Sequence, residues 1–196
     1  MFVGMTKKEL RQAYRKERNQ LSMEQAALND LAILQQLKSI DWKAYTYVHV
    51  FVPISRLKEP NIWPIISFLK DDFPQVKVLV SRSDFDKGEM MHYVYDEQLP
   101  LLENSYGILE PTAGEVVHSE KIDLVLIPLL VCDIKGNRIG YGKGFYDRFL
   151  ATCRASCYKL GIAYFPPVAP IADMEAHDIP LDACVVNDAL FVFPIS

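Results

Sequence analysis

The sequence predicts a single α/β domain over residues 1–196: a mainly parallel, Rossmann-like sheet in a three-layer arrangement with flanking helices. Three observations predict it. Short apolar runs rich in β-branched and aromatic residues alternate with segments of helical pattern, the signature of parallel strands joined by helices. The 196 residues, half of them hydrophobic, suit one domain with a substantial core. A glycine-rich stretch stands between an apolar strand and a helix, where such sheets bind ligands beyond the carboxyl ends of their strands.

The elements follow in order. Thr6 to Leu21 is basic and helical, and Thr6 with Glu9 fits a capping box, in which each side chain caps a free backbone N–H of the first turn. Ser22 with Gln25 fits a second box, opening a helix that runs to about Leu37. Tyr45 to Val52 reads as a buried strand. Glu59 to Leu69 reads as a helix, with Pro60 in its first turn and Pro64 limiting how early it starts. Val76 to Val80 is a strand, Met90 to Tyr95 a further one after a polar turn at Asp84 to Gly88, and Asp96 to His118 is loop-like. Asp123 to Pro128 is a strongly apolar strand, Phe145 to Cys153 a helix, and Tyr158 to Tyr164 and Ala183 to Val186 are strands.

Composition excludes several classes. No run approaches the ~20 apolar residues of a membrane span. Met1 to Leu10 has no apolar stretch followed by a small-residue cleavage site, so no secretory signal is expected. A net charge of −4 argues against a general nucleic-acid binder but allows a few local cations to serve one acidic ligand. Cys132, Cys153, Cys157 and Cys184 form no zinc pattern and read as reduced cytoplasmic thiols; Cys153 and Cys157 are spaced to share a helix face.

The chemistry concentrates between Asp133 and Arg148. Gly140, Gly142 and Gly144 stand at alternate positions, letting the backbone approach a ligand closely, and the following helix start offers free N–H groups to an anion. Arg138 and Lys143 add full charges, the combination a polyphosphate needs. Neither GxxxxGK[ST] nor GxGxxG is satisfied. From the residues alone the stretch is either a phosphate loop or a glycine-rich turn with incidental basic residues.

Gly136-Asn137-Arg138-Ile139-Gly140-Tyr141-Gly142-Lys143-Gly144-Phe145-Tyr146-Asp147 closely resembles the signature of the 5-formyltetrahydrofolate cyclo-ligase (5,10-methenyltetrahydrofolate synthetase) family. Lys7 to Arg11 with Arg15 and Arg18 is similar to that family's opening helix, Gly107 to Pro111 to its middle segment, and His177 to Asp182 to its late segment. The four matches are in order and span nearly the whole chain. Pro167 stands where the family commonly has glutamine, and Val80-Ser81-Arg82 lacks a frequent proline.

The resemblance implies conversion of 5-formyltetrahydrofolate and ATP to 5,10-methenyltetrahydrofolate, ADP and phosphate with Mg²⁺, in a cytoplasmic monomer with no nucleic-acid or membrane partner. By similarity Lys7, Lys8, Arg11 and Arg15 help hold ATP, and Arg138, Gly140, Tyr141, Gly142, Lys143, Gly144, Phe145 and Tyr146 cradle its phosphates. Lys143, Arg138 and Tyr146 are the implied catalytic set, and Asp147 and Asp178 the implied Mg²⁺ ligands. Val52, Glu59, Met90, Tyr141 and Tyr146 would contact the folate, polyglutamylated or not. Each has a plainer reading: an acid in the first turn of a helix for Asp147, a turn for Asp178, a helix start for Glu59, core packing for Tyr146. The rival functions are a non-catalytic nucleotide or folate binder and a related enzyme acting on a sugar phosphate or acyl-CoA.

Overall fold

The computed structural model describes residues 4–194; the first residues of the Met1 to Leu10 segment lie outside it. Two capped helices come first. In α1 (Lys7–Gln20), Thr6 accepts from the Glu9 amide and Glu9 reaches back to the Thr6 backbone, completing the capping box. In α2 (Met23–Lys38), Ser22 accepts from the Gln25 amide. The chain continues through β1 (Tyr47–His49), α3 (Trp63–Asp72), β2 (Lys77–Asp84), β3 (Glu89–Val94), β4 (Leu101–Glu103), β5 (Leu109–Pro111) and β6 (Val116–Val117). It ends with β7 (Leu124–Pro128), β8 (Val131–Cys132), β9 (Arg138–Ile139), α4 (Phe145–Thr152), β10 (Tyr158–Ala163), β11 (Ala183–Val186) and β12 (Ala189–Val192).

One eight-stranded sheet runs in the order β12-β11-β10-β7-β1-β2-β3-β6. Its centre, β11 to β2, is parallel, as the alternation of strands and helices predicts. Its margins are antiparallel: β12 folds back on β11, and β3 and β6 extend β2. The side-chain period of two divides the core into two layers. Val48, Val78, Val80, Leu124, Leu126, Leu160, Ile162 and Val185 pack against Ile33 and Leu37 of α2 and Ile65, Ile66 and Leu69 of α3. Leu79, Val125, Ile127, Ala163, Cys184 and Val186 face the other way, onto Phe149 and Leu150 of α4. Helix α1 joins neither layer; Leu10 and Tyr14 pack on Leu130, Val131, Ile139 and Val168, at the carboxyl end of β7.

Several elements differ from the sequence expectation. The helix expected from Glu59 starts at Trp63, because Lys58 takes a left-handed conformation (φ 47°) and the Glu59 carboxylate turns inward to accept from the Ile54 amide at 2.7 Å. Asp96 to His118 is not all loop: it holds β4, β5 and β6. The hairpin β8–β9 was not anticipated, nor was β12. Helix α4 ends at Thr152, with Cys153 as its cap and Cys157 beyond it, so the two thiols share no helix face. No helix among the described residues is long and apolar enough to cross a membrane.

Candidate active site

The β8–β9 hairpin presents the glycine-rich stretch. Fully buried Asp133 holds its turn, accepting from the amides of Lys135, Asn137 and Ile171 and from the Asn137 side chain. That anchoring fixes the direction in which Arg138 leaves β9. Arg138 runs inward, donates to Asp147 Oδ1 at 2.6 Å and also donates to the carbonyl of Ile179. Burial works the Arg138 guanidinium downward in pKa, and the charges of Asp147 and Asp178 oppose that. Asp147 in turn accepts from the Ile179 amide at 3.2 Å, so the late segment and the start of α4 are tied together through one ion pair.

From the other side the loop is held by α1. Lys7, Arg11, Arg15 and Arg18 fall three or four residues apart and so share a helix face. Arg11 Nε donates to the Gly140 carbonyl at 3.1 Å, Arg15 Nη2 to the Tyr141 carbonyl at 3.4 Å, and Arg18 Nη2 to the Tyr141 hydroxyl at 2.5 Å. Gly142 sits under this clamp with φ 85°, and a Cβ there would come within 3.0 Å of Arg11 Cζ. Glycine is required both for the left-handed backbone and for the approach of the arginine. Gly144 (φ 70°) opens α4, and exposed Lys143 stands between the two glycines. Its carbonyl accepts from Arg148 at 2.9 Å, and Arg148 also donates to Gly88 at the tip of the β2–β3 hairpin.

These elements enclose a cleft of about 840 Å³ at the carboxyl ends of β1, β2 and β7. Of the residues singled out in the sequence, Lys7, Arg11, Arg15, Arg138 and the run from Gly140 to Asp147 line it. Val52, Glu59, Met90 and Asp178 line it as well. Lys8 does not: it is exposed on the outer side of α1. Lys7 reaches across to Asp178 Oδ2 (2.8 Å) and Glu175 Oε2 (2.9 Å). Burial pushes Asp178 upward, but the bonds from Lys7 and the Glu175 amide outweigh it and hold its carboxyl below the usual value.

At the inner end, Glu59 is buried and its Oε1 accepts from the Tyr141 hydroxyl at 2.5 Å. Burial raises its pKa, and bonds from Tyr141 and the Ile54 amide counter that rise. Burial also pushes the Tyr141 hydroxyl well upward, with the Glu59 charge adding to it, so both Tyr141 and the likewise raised Tyr146 stay protonated at neutral pH. Tyr146 packs edge-on to His49 (ring centroids 6.1 Å apart), which touches His92 and Phe149 in turn. The outer end is aromatic: Phe85 stacks on Tyr106 at 4.2 Å and meets Phe145 edge-on.

The family model described as the 5-formyltetrahydrofolate cyclo-ligase family matches residues 3–187. The chain belongs to this family. It is 25% identical to the mouse 5-formyltetrahydrofolate cyclo-ligase, with 95% of this chain and 96% of that protein covered. It is 33% identical to the Haemophilus influenzae cyclo-ligase over 100 residues, half of this chain and 54% of the relative. The solved 5,10-methenyltetrahydrofolate synthetase of Aquifex aeolicus superposes over the whole chain and 95% of its own length, with a TM-score of 0.80 at 26% identity. The Mycoplasma pneumoniae synthetase, at 23% identity, shares the fold over 94% of this chain and all of its own, with a TM-score of 0.74.

Sequence reasoning for this cyclo-ligase family member left several cleft residues out. Arg18 is the clearest, and its period with Lys7 and Arg11 was the available signal. Phe85 and Tyr106 carried none, because they sit in the turns of the β2–β3 and β4–β5 hairpins, whose packing is set by tertiary contacts; Glu110 lay in the Gly107 to Pro111 segment that resembles the family, but no site role was drawn from it. Glu110 is buried and accepts from the Ser83 amide (2.8 Å) and the Asn104 side chain (2.8 Å), which binds the β4–β5 hairpin to β2.

Proposed function

We propose that the cleft carries out the ATP- and Mg²⁺-dependent cyclisation of 5-formyltetrahydrofolate to 5,10-methenyltetrahydrofolate, releasing ADP and phosphate. The observation that carries this reading is the convergence, in one cleft, of a glycine-rich loop bearing Lys143, the cationic face of α1, and the buried Glu59–Tyr141 pair. A cleft with an anion-binding end and a neutral hydrogen-bonding end suits a polyphosphate and a heterocycle held side by side. The same reading has the enzyme working as a cytoplasmic monomer, on folate with or without a polyglutamate tail, with no nucleic-acid or membrane partner.

Oxide is a poor leaving group from a formamide. In the proposed reaction the γ-phosphoryl group passes to the formyl oxygen, N10 attacks the activated carbon, the ring closes and phosphate departs. The protein's share is alignment and charge. Lys7 and Arg11 bring cations to the polyphosphate, with Arg15 behind them, and the backbone from Gly140 to Gly144 lies open to close approach. Lys143, exposed and free of a side-chain ion pair among the described residues, offers its ammonium to the transferring group. Arg138 keeps Asp147 oriented, and Tyr146, protonated, offers a hydroxyl donor beside the folate. Val52 and Met90 supply apolar wall.

The donor set fits magnesium. Asp147 and Asp178 line the same cleft near Arg138, and their contacts within the protein fall on Oδ1 of Asp147 and Oδ2 of Asp178, so each keeps an oxygen for a hard cation. Mg²⁺ held by these two carboxylates would neutralise phosphate charge. The test is isotopic: substrate labelled with ¹⁸O in the formyl group should deliver the label to the released phosphate. Unlabelled phosphate, whose fourth oxygen then comes from solvent rather than from the formyl group, rules out phosphorylation of the formyl oxygen.

A further inference from the structure

One hydroxyl on the cleft wall, and the imidazole behind it, have no part in the reading above. His49 of β1 is fully buried. Its Nε2 lies 3.1 Å from the Ser81 hydroxyl, and its Nδ1 is buried with no hydrogen-bond partner. Ser81 stands on β2, two residues beyond Leu79, which is the strand partner of His49. It is half-buried and lines the cleft. Neither residue belongs to the set that the family resemblance implies.

The unpartnered Nδ1 settles where the imidazole proton lies. Burial, with His92 beside it, holds the His49 pKa well below its usual value, so the ring is neutral and carries one N–H. A proton on Nδ1 would be a buried donor without an acceptor. Orphaned buried N–H groups are rare, and an unmatched acceptor is tolerated more often. The proton therefore sits on Nε2 and is donated to Ser81 Oγ. With its oxygen accepting from His49, Ser81 has to direct its own O–H away from the imidazole. It makes no other side-chain hydrogen bond among the described residues, and it faces the cleft.

The surrounding wall says what would accept that proton. Two positions along the β2–β3 ladder, Ser83 pairs with Met90; both line the cleft, as does Ile127 of β7. Glu110 accepts from the Ser83 amide at 2.8 Å and brings a carboxylate to the same wall. A neutral donor on a partly apolar wall beside a carboxylate suits a neutral carbonyl oxygen and disfavours a phosphate. We infer that Ser81 donates a hydrogen bond to a carbonyl oxygen of the bound folate, and that His49 is the positioning residue that aims its hydroxyl. This rests on the folate reading and deepens it.

The tautomer is read first, from ¹⁵N–¹H spectra of the labelled full chain. His49 should carry its proton on Nε2; a proton on Nδ1 overturns the inference before any ligand is added. Equilibrium binding of 5-formyltetrahydrofolate, without nucleotide, then tests the contact. Ser81→Ala should weaken it about three- to tenfold, the loss of one neutral hydrogen bond, with affinity for a non-hydrolysable ATP analogue unchanged. His49→Leu should weaken it about two- to fivefold, and by nothing measurable when added to Ser81→Ala. An equal cost of His49→Leu in both backgrounds makes His49 a packing residue and overturns its positioning role. Undiminished folate affinity in Ser81→Ala overturns the contact and leaves the folate reading standing. No binding of 5-formyltetrahydrofolate to the wild-type chain overturns both. If His49→Leu does not fold, the spectrum and Ser81→Ala still decide.

Discussion

Arg138 Nη2 lies 2.6 Å from Asp147 Oδ1, and the pair joins the glycine-rich loop to the first turn of α4 with only 7% of the arginine side chain and 24% of the aspartate's exposed. The arginine is the more buried partner, so the two ends of this bond are not equivalent. Asp147→Ala strands a buried cation and should destabilise the fold by about 2–3 kcal/mol as well as abolish turnover. Asp147→Asn keeps an acceptor for Arg138 and the Ile179 amide; it should stay within about 1 kcal/mol of wild type in urea unfolding yet lose Mg²⁺-dependent activity. Full activity in the asparagine variant would remove the metal role assigned to Asp147.

Lys143 is the opposite case, an exposed cation with no side-chain ion pair among the described residues. Lys143→Ala should leave the melting temperature within about 1–2 °C, as surface changes do. The turnover number should fall by about 10²–10³, the usual loss for one charge-stabilising donor. Near-normal turnover would show that the loop binds phosphate without this lysine.

Gly142→Ala tests the clamp between α1 and the loop. The new methyl group meets Arg11 at 3.0 Å on a backbone already at φ 85°. The expected result is a raised KM for ATP with little change in the KM for folate, and a stability loss of about 1–2 kcal/mol. A change confined to the folate KM would place the phosphates elsewhere.

His92 offers a prediction about pH. Burial pushes its pKa down to about 4. A group that stays neutral in the folded chain but takes a proton near pH 6.5 when unfolded makes stability fall as pH drops from about 6.5 toward about 4, by up to about 3 kcal/mol. Thermal unfolding across that window should show the decline, and His92→Leu should reduce it, while buried His49, whose pKa is likewise pushed down, keeps its own share. An unchanged slope in the variant would mean that His49 and the carboxylates carry the whole effect. The Lys7–Asp178 bond acts elsewhere on the scale, because a depressed carboxyl loses its contribution only as pH falls below about 4.

Much of this was legible before any coordinates. The two helix caps, the apolar strand ending at Pro128 and the helix after Gly144 depend on neighbours in sequence, and each is found where its residues predict. The glycine-rich loop was legible for the same reason. Glu59 was legible as a site residue but not as to its setting: its place before Pro60 suggested a helix start, and only the tertiary partner Tyr141, 82 positions away, draws it inward. Phe85 and Tyr106 were missed as cleft walls because both lie in turns, of the β2–β3 and β4–β5 hairpins, and what a turn packs against is set by tertiary contacts that no local pattern encodes. Lys8 illustrates the reverse error: a basic cluster implies a shared role, but adjacent helical positions point about 100° apart, and only Lys7 faces the cleft.

The most direct measurement follows near-ultraviolet absorbance when the purified protein is mixed with 5-formyltetrahydrofolate, ATP and Mg²⁺, each omitted in turn. Ring closure conjugates the new amidinium with the aryl amine, so product absorbs where substrate does not. The account predicts a rise that appears only when all three are present and is lost in Lys143→Ala. A flat trace from folded protein that binds both ATP and the folate would contradict it and make the cleft a binding site rather than a catalyst.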